Sequence, residues 1–149
     1  MPDQLSLSPR QRDDLRTVAA MIVPASDEYK VPGADDPAIQ GDILATLGRD
    51  TKLVTAALDH LVRLAGQPLA GLDAARRDAV AQEFREHGGA AAATLARVVL
   101  QCYYRDDRVL HSLGLETRAP FPKGHVLPDG DWSLLDPVRA RPVSLRRAP

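Results

Sequence analysis

The chain of 149 residues has one cysteine, Cys102, and few aromatic residues: two phenylalanines, three tyrosines and one tryptophan. A single cysteine excludes an internal disulfide, leaves pairing with another chain as the remaining disulfide option, and makes a reducing cytoplasm the simpler home. Charge of one sign is also missing. With 19 basic against 20 acidic side chains and a net charge of -1, nothing steers the chain toward nucleic acid. The most apolar window, "GGAAAATLARVVLQCYY", is broken by Arg97 and is too short to span a bilayer. Near the N-terminus, Asp13 and Asp14 follow Arg10 and Arg12 where a signal peptide needs an uninterrupted apolar run. These absences lead us to expect a cytoplasmic protein without a membrane segment. Two-residue alternation never persists as it does in a half-buried strand, and no internal repeat is visible.

What is present is helix signal with its punctuation. "LSPRQRDDLRTVAAMIVP" offers Ser8 as N-cap, Pro9 at the first helical position, an apolar face of Leu15, Val18, Ala19 and Ile22, and Pro24 as a stop. A loop of about a dozen residues follows, holding Pro24, Pro32 and Gly33. Asp36 and Pro37 open a second helix with Ile39, Ile43, Leu44 and Leu47, ended by Gly48. From Asp50 or Thr51 a third helix repeats Leu53, Val54, Ala57, Leu58, Leu61 and Leu64 at three and four residues, the clearest amphipathic segment. Asp73 caps a fourth helix with a thinner stripe of Ala79, Val80 and Phe84, closed by Gly88 and Gly89. A fifth, from Ala90 to about Tyr104, turns Ala91, Leu95, Val98, Val99, Cys102 and Tyr103 inward, and a short sixth runs from Asp107 to Leu113. The expected fold is all-α: a compact bundle of about five or six helices over residues 1–114, with a Pro-rich extended tail over residues 115–149.

The tail carries Pro120, Pro122, Pro128, Pro137, Pro142 and Pro149, which excludes a long helix. It differs from a solvated linker in its large apolar anchors, among them Phe121, Trp132, Leu134, Leu135 and Val138. "PDGDW" signals a turn, and "DWSLLDP" suits one helical turn capped by Asp131. Trp132, with Arg139, Arg141, Arg146 and Arg147, supplies the residue types that lead lists of interface hot spots. Such a strap lies either on its own bundle or on another protein.

Signs of catalysis are scarce. His60, His87, His111 and His125 fall on separate elements without metal-ligand spacing, and no glycine-rich nucleotide cradle occurs. Cys102 or Ser112 beside a histidine lacks the third, orienting group of an activated nucleophile. Asp106 and Asp107, at a helix start, read as caps rather than as an acid/base pair. Tyr103 and Tyr104 point roughly 100° apart on a helix, one inward and one toward the surface or a partner.

Two stretches carry a resemblance. "LSPRQRDDLRTVAAMIVPASDEYKVPGADDPAI" resembles the start of the gluconate 2-dehydrogenase subunit 3 family, with its first helix ending at "IVP" and Gly-Ala-Asp before the next. "CYYRDDRVLHSLGLETRAPFPKGHVL" is similar to that family's ending: an aromatic pair, a short helix, a Leu-Gly turn, then Pro-x-Pro-x-Gly. The middle helices match in pattern alone. The resemblance implies a non-catalytic small subunit that stabilises, matures or escorts a large flavin-dependent sugar or alcohol dehydrogenase or oxidase of the glucose-methanol-choline type, in which the partner holds FAD. It implies no catalytic, cofactor-binding or metal-ligating residue in this chain. Many relatives begin with a twin-arginine export signal, whereas this sequence starts directly at its first helix, so a cytoplasmic heteromer is expected. On that reading Tyr104, Arg105 and Arg108 present the end of the fifth helix to the partner, and Phe121, Trp132, Leu135, Arg139 and Arg141 hold the strap. Arg118, Lys123 and His125 are the polar residues to inspect at the partner's active site. The alternatives are a stand-alone helical ligand-binding or homo-oligomeric module, and an enzyme with an unrecognised site.

Overall fold

Short-range side-chain capping marks the start of four of the helices. The computed structural model describes residues 6–119, 123, 124, 126 and 128–141. Helix α1, Pro9–Ile22, opens with a reciprocal capping box: Gln11 N–H donates to Ser8 Oγ, and Ser8 N–H donates to Gln11 Oε1 at 3.0 Å. Asp36 caps α2, Pro37–Thr46, by accepting from Ala38 N–H at 2.9 Å. A 3-10 turn, Gly48–Asp50, leads into α3, Thr51–Ala65, which ends at Gly66 with φ 76°. That left-handed C-cap is where glycine costs least. A second 3-10 turn, Leu69–Gly71, precedes α4, Ala74–His87, capped by Asp73. Helices α5, Gly89–Tyr103, and α6, Asp107–Ser112, complete the bundle, the latter capped by Asp106. Among the described residues there is no strand; the one bridge pairs Ser26 with Val31 and closes the tight turn in the loop between α1 and α2.

Helix α3 is the central element, packed against α1, α4 and α5, while α2 packs on α5. Its buried face is Thr51, Val54, Ala57, Leu58 and Leu61, the stripe expected of a helix at period 3.6. Leu53 lies about 100° from Val54 and is 41% exposed, so it does not join the stripe that its spacing suggested. Ala79 is likewise exposed, and α4 buries only Val80 and Phe84. Leu15, Ile39, Ile43, Leu58, Leu69 and Leu95 are almost wholly buried, each contributing about 1.5–3 kcal/mol of hydrophobic stabilisation. Asp14, Gln40 and Thr51 are the polar side chains buried with this interior among the described residues. Asp14 in α1 is 2% exposed and accepts from Leu69 N–H at 2.9 Å, which ties α1 to the turn before α4. Burial of a carboxylate is tolerated where it is bonded, and Arg10 Nε lies 3.8 Å from its other oxygen.

The chain divides into two units, Met1–Thr117 and Arg118–Pro149. Within the second, Asp131 accepts from Ser133 N–H at 3.0 Å and caps a 3-10 turn, Trp132–Leu135, that continues into a four-residue helix, α7, Asp136–Arg139. This raises the helix number among the described residues to seven, above the five or six expected. The proline rule excluded a long helix in the tail, whereas Pro137 sits in the first turn of α7, where a missing N–H costs nothing.

Candidate functional site

The polar residues of the bundle gather where the C-terminus of α5 and the start of α6 meet α2. Tyr103 is buried and Tyr104 is 52% exposed, with the two rings edge to face at 5.2 Å between centroids. Burial raises the Tyr103 phenol above its usual range. Arg105 turns back on α2: its Nε donates to Asp42 Oδ2 at 2.6 Å and its Nη2 reaches Thr46 Oγ1 at 3.4 Å. Arg108 donates to Asp36 through Nη1 at 3.1 Å and Nη2 at 2.8 Å, and to Asp106 through Nε and Nη2 at 2.9 Å. Both aspartates are thereby held below the usual carboxylate range, and the carboxylates raise the Arg108 guanidinium in turn.

A cleft of about 450 Å³ opens between these pairs, lined by Ala38, Ile39, Asp42, Cys102, Arg105 and Asp106 to Arg108. Its chemistry is muted by internal pairing. Each guanidinium already faces a carboxylate, so the site holds no cation in excess for an anionic ligand. Cys102 is a buried free thiol, 3.5 Å from Thr46 Oγ1, and burial raises its pKa, so it is protonated at neutral pH and weakly nucleophilic.

Among the described residues the histidines do not converge. His60 packs edge-on against Phe84 at 5.5 Å, His87 Nδ1 lies 3.1 Å from Glu83 O, and His111 is exposed on α6. Among the described residues no three His, Cys, Asp or Glu side chains are grouped to hold a metal ion, and no helix is long and apolar enough to cross a membrane.

Exposed apolar side chains form the other feature. In the first unit, α6 ends in a left-handed Gly114, φ 71°, with Leu115 N–H donating to Leu110 O at 3.0 Å; Leu113 and Leu115 on either side are 55% and 52% exposed. In the second unit Trp132, Leu134 and Val138 are 67%, 73% and 58% exposed, and Leu135 is 40% exposed. Arg139 pairs with Asp136 at 3.6 Å, Lys123 and Arg141 are exposed, and Arg118 Nη2 donates to Gly124 O at 2.6 Å. Phe121 and His125, with Arg146 and Arg147, lie outside the described residues.

Of the residues singled out in the sequence, Tyr104 and Trp132 present large open faces, and Arg105 and Arg108 are about half exposed while ion-paired to α2 and its cap. The periodic reading passed over Leu113 and Leu115, whose exposure follows from the Gly114 turn; the hydrophobic residues flanking a Leu-Gly helix stop were the available signal. Comparison with protein-family models, with curated proteins and with solved structures gave no match to this chain.

Proposed function

We propose that this chain is a non-catalytic accessory subunit of the gluconate 2-dehydrogenase subunit 3 type, which binds and stabilises a large FAD-dependent sugar or alcohol dehydrogenase or oxidase in the cytoplasm. The observation that carries the reading is the tail's exposed anchor set: Trp132 and Leu134 on the turn that Asp131 caps, and Val138 on α7 directly after it, stand open to solvent. Apolar side chains held on a pre-formed turn reduce the ordering cost of association, and tryptophan at the centre of a contact is the commonest hot spot. Tyr104, Leu113 and Leu115 supply further open apolar area on the bundle unit. A contact that also orders a strap must bury more than the standard interface of about 1,600 Å². Flavin chemistry belongs to the partner on this reading, and the buried free thiol of Cys102 suits a reducing compartment.

The test is affinity purification of the tagged full chain from its native cells, with an absorbance spectrum of the eluate. A large co-purifying flavoprotein with an oxidised-flavin spectrum, lost from Trp132→Ala or from a chain ending at Thr117, supports the assignment. A colourless chain eluting alone, or full retention of the flavoprotein by the truncated chain, refutes it.

A further inference from the structure

A second concavity lies on the opposite chemistry: about 300 Å³ between α1, α3, α4 and α5, with Leu61, Phe84 and Leu95 as its buried floor. The space exists because Ala81, Ala92 and Ala96 present only methyl groups where larger side chains would close it. Its wall is fixed by a close approach. Gly88 N–H donates to Phe84 O at 2.8 Å, and a Cβ on Gly88 would stand 2.5 Å from that oxygen and 2.6 Å from Ala92 Cβ.

Arg85 is the only charged side chain lining the cavity among the described residues. Its guanidinium donates to the neutral Gln82 amide oxygen and has no ion pair among the described residues, in contrast to the paired arginines 105 and 108. An apolar chamber with one uncompensated guanidinium at its edge is complementary to a molecule with an apolar body and an anionic end. From these features we infer that the cavity binds a small amphiphilic carboxylate. At about 30 Å³ per non-hydrogen group, the share of a water in the liquid, it accommodates on the order of ten such groups, and the planar fork of arginine can receive a carboxylate through two parallel hydrogen bonds. The site is independent of the accessory role, since none of its residues belongs to the tail or to the exposed apolar set.

The experiment titrates the isotope-labelled full chain with sodium octanoate, 1-octanol and octylammonium chloride, and follows backbone amide shifts. Octanoate is expected to saturate shifts at Leu61, Phe84, Ala92 and Leu95, and to bind more tightly than octylammonium. Arg85→Gln, an exposed position, should weaken octanoate about three- to tenfold and leave octanol unchanged, the range of a partly solvated charge-assisted bond. Ala96→Leu, which fills the chamber, should abolish both. Absence of saturable shifts, equal affinity for the ammonium ligand, or indifference of octanoate to Arg85→Gln overturns the inference. So does a dimer in sedimentation that Ala96→Leu dissociates, because a second copy would then be the occupant.

Discussion

Arg108 links parts of the bundle that are 72 residues apart in sequence, and its replacement by methionine keeps the aliphatic stem while removing the guanidinium. Four hydrogen bonds to two carboxylates are lost, yet the cap bonds that Asp36 and Asp106 make to Ala38 N–H and Arg108 N–H remain. The Arg108 side chain is 47% exposed and its partners 20% and 15%, so each pair is screened and sits near the upper end of surface ion pairs. Two such pairs sharing one guanidinium give an expected loss of about 1–2 kcal/mol at neutral pH. Both aspartates have folded pKa values below their unfolded ones, chiefly through the Arg108 hydrogen bonds. The stabilisation is therefore complete above the unfolded carboxyl pKa of about 3.9 and is lost as pH falls through the lower folded values. Urea unfolding of Arg108→Met and the unmodified chain, followed by far-UV circular dichroism from neutral pH downward, should give curves that converge below about pH 4. A gap that stays constant down to the acid limit, or one below about 0.5 kcal/mol at neutral pH, overturns this account.

Asp14→Ala leaves Leu69 N–H buried without an acceptor and should destabilise the bundle by about 1–3 kcal/mol, whereas Asp14→Asn, which keeps an acceptor oxygen, should cost much less; thermal melts of both variants check it. Gly88→Ala forces a Cβ against Phe84 O and Ala92 Cβ and should cost about 1–3 kcal/mol despite the better helix propensity of alanine, read from the same melts. Cys102 should react with a disulfide reagent far more slowly in the native protein than in denaturant, because it is 4% exposed and its pKa is raised; equal rates would place the thiol at the surface.

Helix starts were legible because their determinants are local. Ser8 with Pro9, Asp36 with Pro37, Asp73 and Asp106 each cap the helix they precede, and the cap bonds span two or three residues. The inward Tyr103 and outward Tyr104 also follow from a 100° step. Long-range pairings were hidden for the complementary reason. Nothing near Asp14 announces Leu69, and nothing near Arg105 announces Asp42, since these contacts depend on how α1, α2 and α5 are placed by the core. Arg105 and Arg108 are surface groups as expected, and what the sequence did not show is that each is also ion-paired across the fold. The apolar cavity was equally illegible: an alanine on a helix face fits close packing or a void equally well, and the spacing of the helices decides between them.

The distribution of chromophores has a practical consequence. The chain's one tryptophan, Trp132, sits in the unit Arg118–Pro149, and the bundle unit has none. Tryptophan emission and its quenching therefore report on the tail alone, while circular dichroism is dominated by the long helices α1 to α5. Changes in the surroundings of Trp132 and melting of the bundle can thus be followed in one cuvette as separate optical signals, without attaching a label.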